Sequence, residues 1–204
     1  MAVALVDYGA GNLTSVRKAL AASGAEVFTP ASPSDLARAS AVIVPGVGHF
    51  SATAVLDARW REAIGGAVAR GRPLLGICLG MQWLFEASDE APDLPGLGLM
   101  SGRCHLLPAG EGLKVPHVGW NALAFSPERG RLLWGVPPGG YAYFTHSYVA
   151  PLTQDTLATT THGETFASVV ERGHVFGAQF HPEKSGEVGL LILGNFLSAA
   201  AGAR

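Results

Sequence analysis

Leu74-Leu75-Gly76-Ile77-Cys78-Leu79-Gly80-Met81-Gln82 joins an apolar run to a segment of helical character through a single cysteine. The run from Pro73 to Ile77 has strand length and no polar face. Such runs belong to strands covered on both sides, as in parallel sheets. Leu79 to Glu86 is expected to be helical. Cys78 stands at the junction with a glycine two residues to either side, the frame of a nucleophile elbow with Cys in place of Ser. A sharp strand-to-helix turn exposes the nucleophile. The helix N-terminus favours its thiolate form, and the N–H of Leu79 points where an oxyanion would form.

The same alternation continues outward. Ala2 to Val6 reads as a buried strand, Leu13 to Ala22 as a helix stopped by Gly24, and Glu26 to Thr29 as a second strand. Ser34 and Asp35 open a brief helix, and Ala41 to Val44 is a third apolar strand. Phe50 to Arg70 is expected to be helical, either unbroken or interrupted at Gly65-Gly66. Alternating strands and helices imply an α/β fold with a mostly parallel central sheet flanked by helices. From Leu97 to Phe180 the pattern changes to short Val/Tyr/Thr/Phe runs between Gly and Pro turns, such as Tyr141 to Val149, Thr156 to Thr161 and Thr165 to Glu171. These predict added mixed or antiparallel strands in the C-terminal half. A helix from about Gly186 to Ala200 closes the chain. With no repeat and no low-complexity linker, residues 1–204 are expected to form a single domain.

Gln179-Phe180-His181-Pro182-Glu183-Lys184 follows another apolar run. Pro182 biases His181 toward an extended backbone. Residues two apart on such a backbone share a face, so His181 and Glu183 can reach one site. A thiol, an imidazole and a carboxylate then make a nucleophile, its base and the group that orients the base. Pro45-Gly46-Val47-Gly48 ends a buried strand, at the edge where open α/β sheets build their sites. A backbone N–H at Val47 or Gly48 is the candidate second oxyanion donor.

Composition excludes other classes. The chain has 48% apolar and 15% charged residues, too apolar for extended disorder. Fourteen Lys and Arg face 16 Asp and Glu for a net charge of −2, with no basic block for nucleic acid or an anionic membrane. Cys78 and Cys104 make no disulfide framework. Cys104, beside His105, is expected in the core or a strand. The N-terminal apolar run is too short for a signal segment, and the most apolar C-terminal stretch falls short of the ~20 residues that span a bilayer. A cytoplasmic location is expected. Gly9-Ala10-Gly11-Asn12-Leu13-Thr14 lacks the third glycine of a dinucleotide fingerprint, and no metal motif occurs, so neither a cofactor nor a metal is expected. Trp60, Trp83 and Trp134 are expected to be packing residues.

The motifs together resemble those of the class I, triad-type glutamine amidotransferases, and within them the glutaminase subunits of imidazole glycerol phosphate synthases. The resemblance rests on DYGAGNL at 7–13, PGVGHF at 45–50, GICLGMQ at 76–82, PHVGWN at 116–121, YFTHSY at 143–148 and QFHPEKS at 179–185. Other members often carry His where Met81 stands. The resemblance implies a flavodoxin-like fold and hydrolysis of L-glutamine to glutamate and ammonia through a Cys78 thioester. His181 would be general base then acid and Glu183 its orienter, with Leu79 and Val47 or Gly48 serving the oxyanion. It implies glutamine binding by Gly48, Gln82, Glu90, His146, Ser147 and Tyr148. It also implies a heterodimer with a cyclase subunit, a (β/α)8 barrel that takes the ammonia into histidine biosynthesis, contacted through Asn12, Trp120, Tyr143 and Lys184. Competing readings are a glutaminase component of an anthranilate or carbamoyl-phosphate synthase, and a catalytically silent regulatory module on the same fold.

Overall fold

The computed structural model describes residues 1–110, 112–128 and 130–202. In chain order the N-terminal half contains β1 (Ala2–Leu5), α1 (Leu13–Ala22), β2 (Glu26–Phe28), β3 (Ala41–Gly46), α2 (Ala58–Ala69), β4 (Leu74–Cys78) and α3 (Leu79–Leu84). Then come β5 (Ala87–Ser88), β6 (Arg103–Leu106), β7 (His117–Ala122), β8 (Ala124–Phe125), β9 (Tyr141–His146) and β10 (Tyr148–Val149). The chain finishes with β11 (Thr156–His162), β12 (Glu164–Arg172), β13 (Val175–Ala178) and α4 (Gly186–Ala200).

Eight strands form one sheet in the order β2-β1-β3-β4-β13-β12-β11-β8. The first five run parallel; β12, β11 and β8 add on antiparallel. The expected switch from parallel to antiparallel in the second half is present. Two small sheets stand apart: β10-β6-β5, and the antiparallel pair of β7 and β9.

Strand alternation sorts the core into two layers. Val3, Leu5, Ala41, Ile43, Leu75 and Ile77 face one layer with Val16 and Leu20 of α1 and Ile192, Leu193 and Phe196 of α4. Ala4, Val6, Val42, Val44 and Leu74 face the other, with Leu36, Ile64 and the fully buried Trp83. Both faces of the parallel strands are covered, which is why their sequences carry no polar alternation.

Four local expectations need correction. Phe50 to Arg70 is not one helix: a 3-10 turn over Phe50–Val55 ends before α2, whose N-cap is Asp57. The Asp57 carboxylate accepts the N–H groups of Arg59 at 3.0 Å and Trp60 at 3.1 Å. That caps the donors a new helix leaves unpaired, while Gly65 and Gly66 lie inside an unbroken helix. The brief helix expected at Ser34 and Asp35 is a 3-10 turn over Pro33–Arg38, begun by Ser32, whose N–H bonds Asp35 at 3.0 Å. Tyr141 to Val149 breaks at Ser147, sending β9 and β10 to different sheets. Trp134 is 60% exposed rather than packed, whereas Trp60 is half-buried against the core.

Candidate active site

The carboxyl ends of β1, β3, β4 and β13 lie side by side and carry Tyr8, Gly46 to Gly48, Cys78 and Gln179 to His181. Cys78 ends β4 and caps α3 with φ +53° and ψ −109°, and no other described non-glycine residue has a positive φ. The flanking glycines answer to contact. A Cβ on Gly76 would meet the Gly80 carbonyl oxygen at 2.5 Å, and one on Gly80 would meet that of Val44 at 1.8 Å. Helix α3 can sit this close to the strands only with bare backbone at both positions.

Parallel pairing sets the rest. Ala178 of β13 is registered with Ile77 of β4, so the chain just past β13 runs beside Cys78. His181 and Glu183 follow, and His181 Nδ1 lies 2.8 Å from Glu183 Oε1, with the two side chains 2% and 1% exposed. His181 is also anchored by its backbone N–H, which donates to the Tyr143 carbonyl at 2.9 Å. Burial works against charge on this imidazole, but hydrogen bonding and charge from Cys78 and then Glu183 outweigh it and lift its pKa to about 9. Nε2 makes no hydrogen bond of good geometry with any described residue. The Cys78 sulfur lies close enough to the ring to favour its charged form.

A cavity of about 250 Å³ opens over the sulfur. Gly48, Cys78, Leu79, Gln82, Glu90, His146, Ser147 and Tyr148 line it, as do Pro116 and Thr145, which sequence reasoning did not single out. Every glutamine-binding candidate is therefore on one wall or another. Val47 is half-buried and does not line the cavity, whereas Gly48, with φ +92°, does. Of the two open choices for a second donor, Gly48 is the one that borders the space. The Leu79 N–H opens α3 and has no intrahelical acceptor by position. Glu90 already accepts the Phe50 N–H at 2.7 Å, which closes the cavity rim.

Polar groups around the cavity are interlocked. Gln82 Nε2 donates to the Tyr148 carbonyl at 2.8 Å and to Gln179 Oε1 at 3.2 Å. His146 sits between the Tyr148 carbonyl, 3.0 Å from Nδ1, and His117 Nδ1, 3.1 Å from Nε2. Burial, with neighbouring histidines, drives the pKa of His117 down to about 4 and of His146 to about 3, so both are neutral at pH 7. Tyr8 Oη is buried without a hydrogen-bond partner among the described residues. Burial, then the charge on Cys78, pushes its pKa far up, so it stays protonated.

Of the expected partner-facing residues, Asn12, Trp120 and Lys184 are exposed and Tyr143 is half-buried. Trp120, 55% exposed, pairs across the β7–β9 register with Tyr143, their rings edge-on at 6.1 Å. Lys184 Nζ lies 5.8 Å from the centre of the Tyr143 ring. Asn12 is exposed and caps α1, accepting the Ser15 N–H at 3.3 Å, and α1 packs against the turn that carries Lys184. Cys104 is fully buried in β6. Among the described residues no cluster of three or more His, Cys, Asp or Glu is placed to hold a metal, and no helix is long and apolar enough to cross a membrane.

The family model described as glutamine amidotransferase class-I matches residues 4–199. A protein of Natronomonas pharaonis named imidazole glycerol phosphate synthase subunit HisH is 48% identical, the match covering 96% of this chain and 93% of that one. A protein of the same name from Gloeobacter violaceus is 46% identical, over 98% of this chain and 90% of its own. Among solved structures, one described as a glutamine amidotransferase superposes with a TM-score of 0.76 at 21% identity, covering 97% of this chain and 98% of that chain. The structure of PurLQS from Thermotoga maritima gives 0.75 at 19% identity, with 97% of each chain covered. These two establish likeness of fold.

Proposed function

Because this chain belongs to the class-I glutamine amidotransferase family, we propose that it is the glutaminase subunit of an imidazole glycerol phosphate synthase. On this reading residues 1–204 act as one glutamine amidotransferase domain in histidine biosynthesis. The observation that carries the chemistry is the Cys78 elbow beneath a small polar cavity, with the buried His181–Glu183 pair beside the sulfur.

With the thiol's proton already held on Nε2 of His181, the Cys78 sulfur attacks the side-chain amide carbon of glutamine. Charge develops on the amide oxygen, where the N–H groups of Leu79 and of Gly48 or Val47 stabilise it; each such donor supplies about 10²–10³ in rate. Protonated His181 then gives its proton to the departing nitrogen. Ammonia leaves and a thioester remains. His181, neutral again, takes a proton from water, which attacks the thioester and releases glutamate. Glu183 holds the ring and stabilises its charge. Gln82, Glu90, His146, Ser147 and Tyr148 hold the amino-acid end of the substrate.

Free ammonia would be protonated in water, so this reaction gains its use from a partner that receives it. The proposed partner is the cyclase subunit, docked on Asn12, Trp120, Tyr143 and Lys184. An exposed Trp120 against a half-buried Tyr143, beside a cation, suits the centre of a protein interface. Nitrogen-15 amide-labelled glutamine, supplied with the purified cyclase and its ribonucleotide substrate, is expected to deliver label into the imidazole product. Cys78→Ala should fold and abolish transfer from glutamine while transfer from added ammonia persists. Retained glutamine hydrolysis in that variant would refute the nucleophile.

A further inference from the structure

Cys78 Sγ has few hydrogen-bonding neighbours, and they act in opposite directions. The thiol can donate to the Thr145 carbonyl, 3.9 Å away. A carbonyl oxygen suits S–H and repels a thiolate. Gln179 Nε2 donates to the sulfur at 3.8 Å, and a donor favours the ionised form. Gln179 is fully buried and is brought there by register, one residue past the Ile77–Ala178 pairing.

The carboxamide cannot turn its donor away. Its Oε1 accepts Gln82 Nε2 at 3.2 Å, and that same nitrogen donates to the Tyr148 carbonyl at 2.8 Å. Its backbone N–H is bound to the Ser168 carbonyl at 2.9 Å. Two amide side chains thus link the substrate-facing Tyr148 backbone to the sulfur, and each fixes the orientation of the next.

We propose that Gln179 is a positioning residue that holds the Cys78 sulfur in its ionised, attack-ready form through the Nε2–H···Sγ bond. The titratable groups around the sulfur are His181 and Glu183 beyond β13, Tyr8 beyond β1, His146 at the end of β9 and Glu90 on the cavity rim. Tyr8 is protonated and His146 neutral at pH 7, so His181 is the cation and Gln179 the fixed dipole. The inference rests on Cys78 being the nucleophile. Alkylation titrates the sulfur whether or not glutamine is hydrolysed, so the two readings fail separately.

The test is the pH dependence of Cys78 alkylation by iodoacetamide in the purified chain, with Cys78→Ala subtracting any labelling of buried Cys104. Gln179→Met keeps the volume and removes the donor; its alkylation midpoint should rise by about one pH unit, with the high-pH plateau unchanged. Gln179→Glu keeps the acceptor for Gln82 and replaces the donor by a carboxylate, so its midpoint should rise further. Should Met at this position prevent folding, Gln179→Leu, which also lacks the donor, takes its place. A purely structural role would lower kcat without moving the midpoint. A wild-type midpoint in folded variants overturns the proposal.

Discussion

The imidazole of His181 and the carboxylate of Glu183 meet at 2.8 Å, both side chains nearly sealed from solvent, and the second carboxylate oxygen has no partner among the described residues. Among the described residues, the carboxylate has the ring as its one hydrogen-bond partner. Its loss leaves a ring free to turn and a buried cation less supported.

Glu183→Gln should lower kcat for glutamine hydrolysis about 10²- to 10⁴-fold with a smaller change in KM, measured by ammonia release. It should also change the pH dependence of stability. The folded-state pKa of His181 is raised from 6.5 to about 9. The proton it keeps contributes stability fully below pH 6.5, and that contribution disappears as pH rises through 9, at most about 3 kcal/mol. Urea unfolding from pH 6 to 9 should show a shallower decline in Glu183→Gln than in wild type. Parallel curves would contradict the pair's role.

Cys78 holds φ +53° and ψ −109°, a region a side chain enters at a cost of about 1–3 kcal/mol. Glycine enters it freely. Cys78→Gly should therefore be about 1 kcal/mol more stable than Cys78→Ala, reversing the usual order of these residues. Thermal melts of the two inactive variants decide it, and an Ala variant that melts higher would remove the strain from the account.

Burial and then His162 hold His117 near 4, and burial and then His117 hold His146 near 3. Unfolded histidines take up protons near 6.5, so the folded chain loses stability as pH falls from there toward 4. His117→Gln keeps groups able to bond His146 and Asn121 but does not titrate. Its unfolding free energy should fall less between pH 7 and 4.5 than that of wild type, by up to about 1.4 kcal/mol per pH unit. Denaturation curves across that range provide the check.

The elbow and the HPE stretch were legible because each is a local pattern with one physical purpose. Gln179 stood in a stretch the sequence reading quoted, yet its contact with Cys78 depends on the pairing of β4 with β13, which no local spacing reveals. His117 lay in a quoted motif for the same reason unread: its partners come from β9 and from His162, stacked at 4.2 Å. The break at Leu56 escaped notice because Asp57 is an ordinary polar residue in a helical pattern until its carboxylate is seen capping. Ser147 likewise reads as one more residue of a strand. Apolar character places Trp134 among the packing residues, yet most folded surfaces remain largely apolar.

Trp120→Ala should weaken cyclase binding at least tenfold, by calorimetric titration, because aromatic residues central to an interface commonly contribute 2 kcal/mol or more. Its 55% exposure means the isolated chain should lose no more than about 0.5 kcal/mol of stability. Unchanged affinity would relocate the docking face.

Ile77 and Ala178 are partners on adjacent strands of the eight-stranded sheet, so the sulfur and its imidazole rise from one common footing. The far wall of the cavity hangs from the detached β7–β9 ribbon, with His146 at one end and the exposed Trp120 a few residues along. The same ribbon also holds the catalytic ring, because the Tyr143 carbonyl accepts the His181 N–H. The wall that seats the amide and the ring that carries its proton are thus tethered to the same two strands.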